Sequence, residues 1–192
     1  MSGSARYTAI LDACVLYPAP LRDLLLSLAQ SGLYHARWTN QIQDEWVRNL
    51  LINRPDLKAE DLARTCQAMN ASVLDCLIEN YEMVADTLKL PDPGDHHVFA
   101  AAIIGHADTI VTFNLKDFPA ETLSVYNIEA QHPDDFIANQ LDLRQLDALG
   151  AIKAMRARLR NPPKTASELI ATLERNQLPL TASILRTAED LI

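Results

Sequence analysis

The sequence predicts an α/β protein: a doubly wound, mainly parallel sheet flanked by helices, followed by an all-helical C-terminal extension. Three observations lead there. Short apolar runs recur at residues 7–11, 34–38, 110–112 and 125–128, as the buried strands of a parallel sheet do. Helical repeats of apolar residues separate these runs, which is the alternation that builds a parallel sheet. From Pro133 onward no strand pattern remains. A soft boundary near Leu143 therefore divides the 192 residues into a main domain, 1–142, and a helical extension, 143–192.

The first strand, residues 7–11, runs into Asp12. After Pro18 and Pro20, the series Leu21, Leu24, Leu25, Leu28 marks an amphipathic helix with a proline start and a stop near Gly32. Residues 34–38 read as the second strand, and Thr39 or Asn40 can cap a helix carrying Ile42, Trp46 and Leu50 on one stripe. A helical region over 59–79, with a break near Asn70, follows from Leu62, Cys66, Met69, Val73 and Leu77. The prolines and glycine of 90–94 predict a turn that opens a helix over 95–106. Strand 110–112, the loop 114–119 and a last strand over 125–128 complete the main domain. Helices over 133–141, 144–160, 165–176 and 180–191 form the rest, the third opened by a capping box from Thr165 to Glu168.

Composition narrows the function classes. A hydrophobic share of 48% with 22% charged residues is that of an ordinary globular chain. No apolar run approaches the roughly 18 to 20 residues of a membrane span, and the segment from Met1 leads into a strand rather than a signal-peptide core. A cytoplasmic protein with no membrane partner is the expectation. Cys14, Cys66 and Cys76 form no CxxC pair, so buried reduced thiols are expected. A net charge of -8 argues against holding nucleic acid by bulk electrostatics. It leaves room for a nuclease, because an enzyme that binds divalent cations must collect carboxylates. Lys153, Arg156, Arg158, Arg160 and Lys164 lie in a stretch without acids and are candidates for contacts to an RNA backbone; a solvated helix face or a seat for an acidic partner explains them equally.

Four acids stand where such chemistry would need them. Asp12 follows the first strand, at the carboxyl edge where ligands of open α/β sheets gather, although a loop-capping role accounts for it as well. At about 100° per residue, Glu45 falls on the rim of the face made by Ile42, Trp46 and Leu50, whereas Asp44 points away. Asp95 shares a stripe with Val98, Phe99, Ala102 and His106, and an acid in a first helical turn also suits the helix dipole. Asn114 and Asp117 follow the strand at 110–112. Both offer oxygen, the donor that Mg²⁺ and Mn²⁺ prefer. Asp92, Thr112 and His96 are candidates for supporting contacts around these ligands. Adjacent helical residues face about 100° apart, so only one of His96 and His97 can turn toward the site.

These residues stand in motifs that resemble the PIN domain, the family that includes the toxin components of bacterial VapBC-type toxin–antitoxin pairs. The matching stretches are Ile10-Leu11-Asp12-Ala13-Cys14-Val15-Leu16, Asp44-Glu45-Trp46, the run from Pro91-Asp92-Pro93-Gly94-Asp95-His96-His97 to Ile103, and the run from Ile110-Val111-Thr112-Phe113-Asn114 to Asp117-Phe118-Pro119. The tail around Leu159 to Thr165 resembles the extension of a longer toxin-like subgroup. The resemblance implies a PIN-like sheet and an endoribonuclease acting on single-stranded or loop RNA. It also implies Mg²⁺ or Mn²⁺ held by Asp12, Glu45, Asp95 and Asp117, a cognate antitoxin, and homodimers. Many relatives carry an acid two residues after the threonine where this chain has Asn114, which leaves Asn114, Asp117 or both as the fourth ligand. Two other readings stay open: a PIN-fold binding module with little or no cleavage, and a Mg²⁺-dependent HAD-like phosphatase. The latter usually needs a second Asp two residues after the first, where this chain has Cys14.

Overall fold

A computed structural model describes residues 7–192; residues 1–6, on which the reading of the N-terminal segment partly rests, lie outside it. The elements in chain order are β1 (Thr8–Leu11), α1 (Ala13–Leu16), α2 (Ala19–Gln30), β2 (His35–Arg37), α3 (Asn40–Asn53), α4 (Ala59–Ser72), α5 (Glu82–Ala85), α6 (His96–Ile104), β3 (Thr109–Val111), α7 (Ala120–Leu123) and β4 (Glu129–Gln131). Then come α8 (Pro133–Leu143), α9 (Gln145–Arg158), α10 (Ala166–Arg175) and α11 (Pro179–Thr187). The described residues form two compact units: 7–17 together with 34–131, and 18–33 together with 132–192. The boundary expected near Leu143 thus lies inside the second unit, which takes in α8 and also α2.

The first unit is built on a sheet of order β2-β1-β3-β4 with every pairing parallel, the open parallel sheet that the sequence predicts. Ala9, Ile10 and Leu11 of the central strand are fully buried, which is why β1 reads as an uninterrupted apolar run. Strand order reverses at β1 and β3, so the carboxyl ends of these two strands flank the crevice where such sheets bind ligands. Register places Leu11 opposite Val111, hence Asp12 beside Thr112. Helix α6 packs on both strands, and the fully buried Ala100, Ala101 and Ala102 let it approach closely. At its end Gly105 is required for space: a Cβ there would meet Ile78 Cδ1 at 2.5 Å and the Ala101 carbonyl oxygen at 2.8 Å.

Two sequence expectations fail here. Helix α4 stops at Ser72, close to the break expected near Asn70, but no helix continues to 79, because Asp75 turns the chain at φ 54° and residues 76–78 pair with Trp38, directly after β2. The Trp38 N–H donates to the Cys76 carbonyl and the Ile78 N–H to the Trp38 carbonyl, each at 2.9 Å. Burial of Cys76 and Ile78 thus beats the helical periodicity. The last strand is Glu129–Gln131 rather than 125–128. Ser124–Tyr126 form a 3-10 turn closed by Asn127 at φ 56°, Val125 is exposed, and Tyr126 meets Phe99 edge-on with ring centroids 5.4 Å apart.

In the second unit α2 packs against α9, and α8 against α9 and α11. Leu21, Leu24, Leu25, Leu28, Phe136, Ile137, Ile152 and Leu173 are fully buried there. The capping box at Thr165 forms as its sequence predicts: the Glu168 N–H donates to Thr165 Oγ1, and Glu168 accepts from the Thr165 N–H. A buried carboxylate ties two helices together. Asp134 of α8, 5% exposed, accepts hydrogen bonds from the N–H groups of Leu180 and Thr181 in the first turn of α11, both at 2.8 Å.

Candidate active site

The cavity at the carboxyl ends of β1 and β3, about 500 Å³, is lined at one end by Asp12, Glu45, Asp95 and Asn114. Asp12 is positioned by chain geometry. It stands between β1 and α1, where its Oδ1 accepts from the Ala13 N–H at 2.6 Å. Its Oδ2 accepts from the Thr112 hydroxyl at 2.7 Å and from the Cys14 thiol at 3.2 Å. Burial raises the Asp12 pKa despite these three donors, with Glu45 adding repulsion. Burial and Asp12 push the Cys14 thiol up as well, so it stays protonated and donates. The Thr112 hydroxyl also accepts from the Asn114 N–H at 3.0 Å, which ties the loop after β3 to the acid after β1.

Glu45 leans inward from α3, whose first turn is fixed by Thr39 Oγ1 accepting from the Ile42 N–H at 3.0 Å. Asp44 is exposed, as the helical angle predicts. The side chain beside Glu45 belongs to His97, with Nε2 3.4 Å from Oε2 and Nδ1 buried without a partner among the described residues. His96, expected near the acids, instead accepts the Leu90 N–H at Nε2 (3.2 Å) and holds the turn before α6. The misreading has a physical cause: residues 97–102 of α6 are all buried, so the helix has no polar side from which to infer direction.

Asp95 ends the 3-10 turn Pro93–Asp95 at the mouth of α6, and Asp92 caps that turn by accepting from the Gly94 N–H at 2.8 Å. Among the described residues, the Asp95 carboxylate accepts no hydrogen bond. Its pKa is raised to about 7, first by burial and then by repulsion from Asp12, Asp92, Asp117 and Glu45. Asp117, half-buried in the 3-10 turn Leu115–Asp117, is therefore within electrostatic reach of Asp95 but does not line the cavity; Asn114 does. The sequence reading named neither Cys14 as a donor to Asp12 nor His97 as the neighbour of Glu45.

This set fits a hard divalent cation. The carboxylates and the Asn114 amide offer oxygen, the Cys14 thiol beside them stays protonated and donates to Asp12, and negative charge is concentrated there without a lysine or arginine in the cavity wall. Among the described residues no three His, Cys, Asp or Glu side chains close to a common coordination point. Carboxylates standing apart around a cavity suit an ion that keeps part of its water shell. One consequence is measurable without a cation. Between 3.8 and about 7 the folded chain holds the Asp95 proton that the unfolded chain has lost, so stability falls as pH rises through that window. Asp95→Asn is expected to flatten this dependence. With half the carboxyl exposed, solvent screening leaves about 1 to 2 kcal/mol, or a Tm about 3 to 6 °C higher at pH 8 in chelator. Equal melting curves for the two proteins at pH 8 would count against the crowding of charge.

The basic stretch is mostly committed to internal contacts of the second unit. Arg158 pairs with Asp23 and donates to Ser27, Arg156 donates to the Lys164 carbonyl, Lys164 donates to Thr172, and Lys153 reaches the Leu191 carbonyl at 3.5 Å. Arg160 is exposed. Among the described residues no helix is long and apolar enough to cross a membrane.

Comparison with known proteins adds three findings. A family model described as the PIN domain matches residues 8–116, and one described as the VapC50 C-terminal domain matches residues 133–187. The second match begins where the second unit resumes after β4. A protein of Mycobacterium tuberculosis named "Putative ribonuclease VapC50" is 44% identical over 79 residues, which cover 41% of this chain and 47% of that protein. The chain thus spans about half the length of this curated relative. No solved structure gives a significant match.

Proposed function

The chain belongs to the PIN-domain family, and from that premise we propose that it is a divalent-metal-dependent endoribonuclease, the toxin of a toxin–antitoxin pair acting in the cytoplasm. The observation that carries this reading is the convergence of Asp12, Glu45 and Asp95 on one cavity at the reversal point of a parallel sheet. Asp12, Glu45 and Asp95, with Asn114, would hold Mg²⁺ or Mn²⁺, and Asp117, which does not line the cavity, would act on the ion through its charge. Such a cation supplies acidity to an attacking water and charge to offset the departing oxygen.

The residues of this chain do the positioning. Asp12, clamped by Thr112, Cys14 and the Ala13 amide, presents its remaining lone pairs in a fixed direction. Glu45, flanked by His97, holds the opposite wall and orients the water for in-line attack. Asp95 presents a carboxylate without hydrogen-bond partners among the described residues, so a cation would offset the burial and the repulsion that together raise its pKa. Asn114 contributes a neutral oxygen, and Asp117 adds negative charge nearby. Of the basic stretch, the exposed Arg160 is the residue offered to an RNA phosphate, and Thr112 and Asp92 support the ligands.

The resemblance to toxins extends the proposal to a cognate antitoxin and a homodimer. The direct test is incubation of purified protein with total cellular RNA and Mn²⁺ or Mg²⁺, followed by sequencing of the new ends. Discrete cuts that chelator abolishes are expected. Intact RNA in both metals, with no metal-dependent rise in Tm, would leave a PIN fold without cleavage as the better reading.

A further inference from the structure

The cavity beside the acids has a second, uncharged end for which the proposed hydrolysis has no use. It is lined by Tyr17, Asn49, Ile52 and Asn53. Glu45, Asn49, Ile52 and Asn53 stand at i, i+4, i+7 and i+8 of α3, one face of one helix. This wall therefore continues from Glu45 for about 12 Å along the helix axis. Tyr17, directly after α1, faces it, and the Tyr17 hydroxyl accepts from Asn53 Nδ2 at 3.1 Å, which limits the swing of the ring. Ile52 is 71% exposed, an aliphatic side chain left in solvent at the mouth of a polar cavity.

We infer that this end is a nucleobase subsite, which seats the unpaired base next to the scissile phosphate. The inference rests on the RNA-cleavage reading. The chemistry of the wall selects the ligand: an aromatic ring and an aliphatic side chain offer contact to a base face, while the Asn49 amide offers a donor and an acceptor to a base edge. Single-stranded RNA is bound in this manner, by stacking on aromatic side chains and by hydrogen bonds to exposed base edges. The same wall carries no cation to meet phosphate. In a chain of net charge -8, contact with the base takes over part of the affinity that neutralised phosphates supply elsewhere. The cavity volume of about 500 Å³ lies within the range that encloses small organic ligands. A paired base has its faces covered and does not enter, so the subsite also restricts cleavage to loops and single strands.

The test uses the full-length protein with Mn²⁺ and an RNA octamer that it cuts once, beside octamers carrying an abasic ribose on either side of the cut. One abasic octamer is expected to raise KM about tenfold, the size of one lost stacking contact. Tyr17→Ala and Ile52→Ala should raise KM for the intact octamer about tenfold, with kcat within threefold, and should not weaken the abasic octamer further. Tyr17→Phe, which keeps the ring, should stay near wild type. The Mn²⁺-induced rise in Tm should be the same in all variants, which separates a lost subsite from a damaged acidic end. Equal losses on intact and abasic RNA, or an unchanged KM, would overturn the subsite and fit a seat for a protein side chain instead. If wild type cuts no RNA, the ribonuclease reading itself falls; if it cuts and the variants match it, only the subsite does.

Discussion

Asp12→Asn is expected to lower RNA cleavage at least about a thousandfold, while the metal-free protein melts no lower than wild type. The two halves of this result have one origin. Asp12 is the acid held most firmly, buried at 4% exposure with three donors on its two oxygens, so no neighbouring carboxylate can take its place by a change of rotamer. A ligand that loses its charge forfeits several kcal/mol of stabilisation at the reacting phosphate, and about 4 kcal/mol corresponds to a thousandfold in rate. The folded chain, in contrast, gains. Burial raises the Asp12 pKa, which means the ionised form is costly there, and an amide of the same shape keeps an oxygen for the Ala13 or Thr112 donor. Cleavage rates with Mn²⁺ and melting curves in chelator check the pair. A variant that keeps a tenth of the activity would remove Asp12 from the centre of the mechanism.

Asp134→Ala should produce the opposite pattern, a large loss of stability at a distance in sequence from every acid of the cavity. Two amides in the first turn of α11 lose their acceptor together, that of Thr181 in a buried place and that of Leu180 in a partly buried one. Each bond to a charged group contributes about 1.5 to 3 kcal/mol, and an orphaned buried donor costs a comparable amount. Part is recovered by relaxation, so about 2 to 4 kcal/mol is expected, with Tm lower by roughly 5 to 12 °C. Asp134→Asn retains one acceptor and should lose about half as much. Hydrogen exchange at the Leu180 and Thr181 amides should accelerate in the alanine variant. Unchanged protection there would show that the carboxylate is not their anchor.

The features legible in the sequence are those with a local signature. The run Thr8–Leu11 ending in an acid, the Thr39 cap, the turn around Pro93 and the capping box at Thr165 each carry their geometry in adjacent residues. What escaped depends on partners remote in the chain. Residues 76–78 continue a helical period, yet pair with Trp38. The polar strand Glu129–Gln131 is recognisable only by its neighbour β3. His97 meets Glu45 across helices, so no pattern within α6 could distinguish it from His96. The lower stripe of α3 was readable in part, since Asn49, Ile52 and Asn53 continue the face of Glu45, but nothing in the sequence alone tells that Tyr17 stands opposite.

The membership of α2 in the second unit bears on how this protein can be dissected. The helix is encoded between β1 and β2, yet Leu21, Leu24, Leu25 and Leu28 are buried among helices drawn largely from beyond residue 132. A single cut after Gln131 would therefore not release an autonomous catalytic fragment; it would strip the cover from an oily ridge in the middle of the remaining polypeptide and invite aggregation. A deletion of the tail that abolishes activity is then no proof that the tail touches substrate. To separate the two parts, a shortened chain needs α2 resurfaced with polar residues, or the tail supplied as a second polypeptide.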